Sequence, residues 1–318
     1  MERELSFYTN LAIPKGKEFG FHKDYLKEWF DTLQNVGIKW FACDGMSSDN
    51  FKAGEGERFL DYICNECAKR GLKMSSYHFA SGTFHEDDEH LLDIHKRYEK
   101  HVEFFSQLKP KSFVVHCGWM ADYACDFNEK YKEYCSKYGS ETVIERVADN
   151  MGYLADLLAD KGITVAIETM GGINPLGDFD ELMWIIGREK RENIGICIDS
   201  GHLMVQGEDP ARIIRKTGNL LAETHFHDNL GAKLGKDMHL PVGFGATDWI
   251  SIQHALDDIG FEGPVTFEVK GWLHQGSVEK GLVKAVEWWR EMEKTADYVK
   301  ENMSRFWPQD LSDATKGE

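Results

Sequence analysis

Eight short β-rich runs alternate with amphipathic helical stretches from one end of the 318-residue chain to the other, and this pattern leaves few folds open. The runs are LSFYTNL (5–11), IKWFACD (38–44), LKMSSYHF (72–79), SFVVHCG (112–118), TVAIETM (164–170), IGICIDSGH (194–202), LAETHFHDN (221–229) and PVTFEVK (264–270). Between them, stretches such as DYLKEWFDTLQNVG (24–37) repeat apolar residues at helical spacing. Several end in a glycine where a left-handed cap is wanted: Gly37, Gly71, Gly162, Gly218 and Gly260. Such alternation predicts a parallel sheet covered by helices. Eight units with no Pro- or Ser-rich linker predict an α/β chain folded as one (β/α)8 TIM barrel over 1–301, a single domain, rather than a doubly wound sheet. The segment 302–318 loses periodicity and reads as a C-terminal tail.

Charge narrows the function. Lys and Arg total 37 against 54 Asp and Glu, a net −17, so a surface for nucleic acid is not expected. No run approaches the about 18 apolar residues of a membrane span, and MERELSFYTN has no basic region leading into an apolar one, so the expected setting is cytoplasmic, off the membrane. Seven scattered cysteines read as reduced thiols. Cys64 and Cys67 form a C-x-x-C inside a helical stretch with no second pair, which gives no zinc or redox site.

In a barrel the active site is built where strands end, and here those ends are dense with ligand-type residues. The fifth run delivers Glu168, the sixth Asp199, the seventh His227 and the eighth Glu268. Alternation along a strand places Val165, Ile167, Ile196, Ile198, Phe267 and Val269 outward against the helices. The opposite register (Thr164, Ala166, Glu168; Gly195, Cys197, Asp199; Thr266, Glu268) then lines the barrel, and His225 and His227 share a face in the same way. Three converging carboxylates would repel and desolvate one another, and a divalent cation resolves that. Two Glu, one Asp and one His suit Mn²⁺, Mg²⁺, Co²⁺ or Zn²⁺ without choosing among them.

The segments VAIETMGG, ICIDSGH, THFHDN, KDMHLPVGFGATDW and GPVTFEV resemble those of the xylose isomerase-like TIM barrel superfamily, which holds sugar isomerases and epimerases, inosose dehydratases and endonuclease IV. The resemblance implies one divalent metal on Glu168, Asp199, His227 and Glu268, and a substrate contact from His202. Endonuclease IV is similar at further positions, where His78, His116, His202, Asp237 and His239 match additional metal ligands, so that up to three cations are implied on that branch. On the sugar branch His78 and His116 would instead bind substrate hydroxyls, and Lys233 would stand where ketose 3-epimerases carry an Arg that grips substrate; Lys cannot fork onto two oxygens.

Trp119, Trp249 and Trp272 follow strand ends or begin helices, where they suit stacking on a sugar or packing under a loop. The long segment after the fourth run (119–140) reads as a lid or an oligomer contact, so a homo-oligomer is expected. The expected function is a divalent-metal-dependent sugar, sugar phosphate or inosose isomerase or epimerase, with a small sugar or polyol as partner. Its mechanism is proton transfer through an enediolate, with Glu168 and Glu268 as base and acid and His202 holding a substrate oxygen. The alternatives are an endonuclease IV-like trinuclear phosphodiesterase and a barrel that only binds a polyol.

Overall fold

The protein was analysed as a computed structural model that describes residues 2–10, 19–44, 55–121, 125–269 and 278–306. Its strands, in chain order, are β1 (Leu5–Asn10), β2 (Trp40–Asp44), β3 (Lys73–Phe79), β4 (Ser112–Val115), β5 (Thr164–Glu168), β6 (Ile194–Asp199), β7 (Leu221–His225) and β8 (Val265–Phe267). All pair in parallel with their sequence neighbours up to β7, and β8 pairs with β1. Between β7 and β8 the ladder narrows to one bridge, where Phe226 N–H donates to Thr266 O at 2.8 Å and Glu268 N–H to Phe226 O at 3.1 Å. That bridge nearly closes the sheet into the expected (β/α)8 barrel.

The helices are α1 (Phe19–Asn35), α2 (Glu55–Arg70), α3 (Asp88–Phe105), α4 (Phe127–Tyr138), α5 (Ser140–Ala159), α6 (Phe179–Glu189), α7 (Ser200–Gln206), α8 (Pro210–Thr217), α9 (Trp249–Asp258) and α10 (Val278–Phe306). Local chemistry sets their ends. Asp87 caps α3 by accepting the His90 N–H at 2.9 Å, and Asp88 and Glu89 complement the positive end of the helix dipole. Gly71 and Gly162, at φ of 64° and 65°, follow α2 and α5 in the left-handed conformation that other residues adopt at a cost.

Three details differ from the sequence reading. The segment after β4 contains α4, capped by Asp126, so its second half is helix rather than loop. The run that contains β6 stops being strand at Asp199, whose side chain caps α7 by accepting the His202 N–H at 2.7 Å; His202 therefore stands on a helix. Helix α10 continues to Phe306, into the segment expected as tail, because nothing breaks it before Pro308. Residues 307–318 and Trp272 lie outside the described residues.

The inward and outward registers are as the alternation predicts. Val165, Ile167, Ile196, Ile198, Phe267 and Val269 pack with the helices, whereas Val114, Ala166 and Cys197 form a separate small plug inside the barrel, with Ala222 against it. Below that plug the interior is polar. Glu223 is buried there, accepting from Thr266 Oγ1 at 2.8 Å and from the Thr224 N–H at 2.9 Å, and Ser6 and Ser75 hydroxyls bond at 2.7 Å. Burial pushes the Glu223 carboxyl up. Among the described residues, no helix is long and apolar enough to cross a membrane.

Trp289 joins α10 to the barrel's closing bridge. Fully buried, it lies 5.3 Å from the Phe267 ring and 6.1 Å from those of Phe226 and Trp249, and its Nε1–H donates to Glu293 at 3.0 Å. Trp289→Ala is expected to cost about 3–5 kcal/mol. A lower urea midpoint at unchanged slope checks this.

Candidate metal centre

The site is built at the C-terminal mouth of the barrel. Glu168 ends β5, Asp199 ends β6, His225 ends β7, and Glu268 stands one residue beyond β8; all four are buried. Each offers one ligand atom, and these atoms lie within 4.8 Å of one another. His225 Nδ1 is 2.8 Å from Glu268 Oε2 and 3.3 Å from Glu168 Oε1. From the seventh strand His225 stands in this set, while the expected ligand His227 lies beside it against Asp199. Both histidines face inward, but the strand ends at His225. Beyond it Asp228 pairs in antiparallel with Leu240, and the turn carries the His227 ring to Asp199, with Nε2 3.0 Å from Oδ1.

Two further sets adjoin the first. His78 Nε2 and His116 Nε2 stand 2.9 Å apart, and 3.2 and 3.0 Å from Glu168 Oε2. On the other side, His202, His227, Asp237 and His239 form a group of their own: Asp237 Oδ2 lies 2.6 Å from His239 Nε2 and 3.4 Å from His202 Nε2, and Asp237 Oδ1 lies 3.6 Å from His227 Nε2. Glu168 reaches across the site, with Oε2 on the His78 and His116 side and Oε1 toward His225 and, at 3.5 Å, His202.

The donor set fits divalent cations on three grounds. First, His202 Nδ1 is 2.9 Å from Thr169 O, His239 Nδ1 2.9 Å from Glu268 O, and His227 Nδ1 3.4 Å from Asp228 O. Each carbonyl accepts an Nδ1–H, which leaves three Nε2 lone pairs directed at the Asp237 side, the arrangement that prepares imidazole for a metal. Second, neither nitrogen of buried His225 makes a well-directed hydrogen bond, although a carboxylate oxygen is 2.8 Å from Nδ1. Third, the carboxylates demand positive charge. Burial opposes ionisation of Glu168, yet His225 and His116 hold it well below the usual range. Burial also opposes Asp237, and His202 and His239 hold it far down. The imidazoles respond in turn. Burial pulls His202 down, but Asp199, Asp237 and Glu168 outweigh it and carry its pKa up to about 10. Burial carries His116 down to about 4 although Glu168 opposes it.

A pH dependence follows. Below pH about 10, His202 must lose a proton before its nitrogen can bind a cation. Cation uptake at neutral pH is therefore expected to release protons, with apparent affinity rising as pH rises toward that value. Calorimetry in buffers of different ionisation enthalpy measures the release directly.

Above the ligands lies a cavity of about 320 Å³, walled by Tyr8, Trp119, Met170, Ile173 and Asn174. The Trp119 ring stands 4.8 Å from His116 and 5.8 Å from His78, backed by Phe127 at 6.1 Å. Trp249 instead packs beneath the loop between β7 and α9. Lys233, expected to grip substrate, is exposed and is not among the described residues lining this cavity. The turn closed by the Leu234 N–H on Gly231 O points residues 232–236 to solvent. The Cys64 and Cys67 pair lies on α2, away from the mouth, and burial pushes the Cys67 thiol up to about 12. The sequence reading missed Glu223 and the place of His225; the period-2 H-x-H of β7 was the signal for the second.

Residues 30–292 match the Xylose isomerase-like TIM barrel family. Probable endonuclease 4 of Mycoplasmopsis pulmonis is 24% identical over 219 residues, covering 57% of this chain and 78% of that protein. Ketose 3-epimerase of Arthrobacter globiformis is 28% identical over 120 residues, covering 37% of this chain and 39% of that protein. Among solved structures, D-psicose 3-epimerase of Clostridium cellulolyticum, determined with D-tagatose, superposes with a TM-score of 0.69 at 13% identity, over 91% of this chain and 99% of that one.

Proposed function

Because the chain belongs to the Xylose isomerase-like TIM barrel family, we propose that it is a divalent-metal-dependent sugar isomerase or epimerase. One observation carries the reading. Glu168 and Glu268, from strands three apart, bring carboxylate oxygens to 3.3 and 2.8 Å of the same nitrogen of His225, beside a cavity of about 320 Å³. A bound cation would supply Lewis acidity, making the α-proton of a carbonyl substrate acidic enough for a carboxylate to remove. The chain does the rest. One glutamate takes that proton to give an enediolate, and the other, across the substrate plane, returns a proton to the opposite face. With a cation on the strand-end set alone, His202, held by Thr169 O, would present its Nε2 to a substrate oxygen where negative charge develops; with a cation on the histidine-rich group, that nitrogen would be a ligand instead. Trp119 excludes water and offers a flat apolar face to the sugar ring.

A second reading, phosphodiester cleavage, is favoured by the three ligand sets that meet around Glu168. Against it, no Lys or Arg is among the described residues lining the cavity, and the chain's net charge is −17, whereas a DNA groove needs flanking cations. We place the protein in the cytoplasm, consistent with seven free cysteines. The test is incubation of Mn²⁺-, Co²⁺-, Zn²⁺- and Mg²⁺-loaded protein with ketoses, aldoses, inososes, their phosphates and an abasic duplex. Conversion of a sugar supports the proposal. Cleavage of the duplex with every sugar inert sinks it in favour of the second reading.

A further inference from the structure

The backbone of the segment KDMHLPVGFGATDW wraps a carboxylate of the protein itself. Asp228 Oδ1 accepts N–H bonds from Asn229 at 3.0 Å and Thr247 at 3.1 Å; Oδ2 accepts from the Gly243 N–H at 2.9 Å and Trp249 Nε1–H at 3.0 Å. Its backbone exchanges two further bonds with Leu240, at 2.7 and 3.0 Å. A Cβ on Gly245 would collide with that carboxylate, so the glycine is what lets the loop close on it. Asp228 follows His227 directly, and alternation sends the two side chains opposite ways, His227 into the site and Asp228 back into the loop. The loop thus gathered carries Asp237 and His239, and His239 is the neighbour of the bridged Leu240.

We infer that Asp228 is a positioning residue, the internal anchor that brings Asp237 and His239 to His202 and His227, so that this group forms only while the loop is closed on its carboxylate. The inference rests on the reading of that group as a cation site. Asn in its place must turn an NH₂ toward either the Asn229 and Thr247 pair or the Gly243 and Trp249 pair, setting donor against donor. The Glu168, Asp199, His225 and Glu268 set stands at the strand ends, and this loop reaches it through His239, whose Nδ1 lies 2.9 Å from Glu268 O.

The experiment compares wild type with Asp228→Asn by Co²⁺ titration, following the visible absorption of the ion, and by amide exchange of the metal-free proteins. Loss of such an outer partner weakens cation affinity about 10- to 100-fold. The histidine-rich class of Co²⁺ sites is expected to weaken by that amount while the strand-borne class stays. In parallel, the Leu240, Gly243 and Thr247 amides should exchange faster, with β5 and β6 amides unchanged. Trp249→Phe, which keeps an aromatic ring of smaller size and deletes one donor, should shift the same signals less, and it serves if Asp228→Asn fails to fold. Unchanged exchange in the loop overturns the inference. If wild type takes up no Co²⁺ on the histidine-rich group, the cation reading fails, and the exchange arm still decides whether Asp228 places the loop.

Discussion

Glu168→Gln is expected to be the most damaging single substitution, lowering turnover by about 10²–10⁴-fold as loss of an acid–base group does. Its two oxygens serve different neighbours: Oε2 is within 3.2 Å of both His78 Nε2 and His116 Nε2, and Oε1 faces His225 and His202. An amide keeps the shape but loses the charge, and its NH₂ must point at one of these imidazole sets. His225, which Glu168 helps hold well above its usual pKa, would lose part of that support. Turnover should therefore fall together with cation stoichiometry. Glu268→Gln should leave the His78 and His116 side untouched while removing the proton transfer assigned to it and one ligand of the strand-end set. Steady-state rates with metal analysis on both variants separate the two effects; full cation content in Glu168→Gln would show that the carboxylate is not a ligand.

Removing bound cations is expected to produce the second large change, a loss of stability. A cation at about 1,000 times its dissociation constant adds about 4 kcal/mol to the folded state. Each kcal/mol moves the melting temperature of a domain of 150–250 residues by about 2–4 °C. For this longer chain, chelation should then lower the melting temperature by several degrees per cation, and Mn²⁺ or Zn²⁺ should restore it. The cause is the buried acid cluster: Glu168, Asp199 and Glu268 are 2% exposed or less, and their charge is offset by neighbouring imidazoles. In Asp199→Asn the metal-dependent shift should shrink. Differential scanning calorimetry with and without chelator reads both.

Much of this was legible in the chain before any coordinates, and the reasons are specific. Strict alternation along β5, β6 and β8 sets which residues face inward, so Glu168, Asp199 and Glu268 could be placed from their apolar neighbours alone. Where a strand stops is a different matter. His225 and His227 satisfy the same alternation, and the bridge from Asp228 to Leu240, made with a residue twelve positions on, accompanies a turn that sets His225 beside Glu268 and His227 beside Asp199. Lys233 is a similar case, since its spacing from His227 says nothing of the turn at Gly231 that points it to solvent. Glu223 was hidden for another reason. Its hydroxyl partners come from separate strands, and Thr266 meets it only because β8 folds back beside β7. Helix α4 had usable signals, Asp126 before it and Gly139 after, but its aromatic and charged residues lack a clear apolar stripe.

The most direct test of the whole account is deuterium wash-in. A sugar turned over by the metal-loaded protein in D₂O should gain solvent deuterium at the carbon beside its carbonyl, because the proton taken by one glutamate exchanges before or as the other returns one. Mass spectrometry of the recovered sugar should show this label with wild type and its loss in Glu168→Gln and in Glu268→Gln. Product formed with no label at that carbon, with rates unchanged in both variants, would contradict the proton-transfer mechanism and the roles given to the two carboxylates.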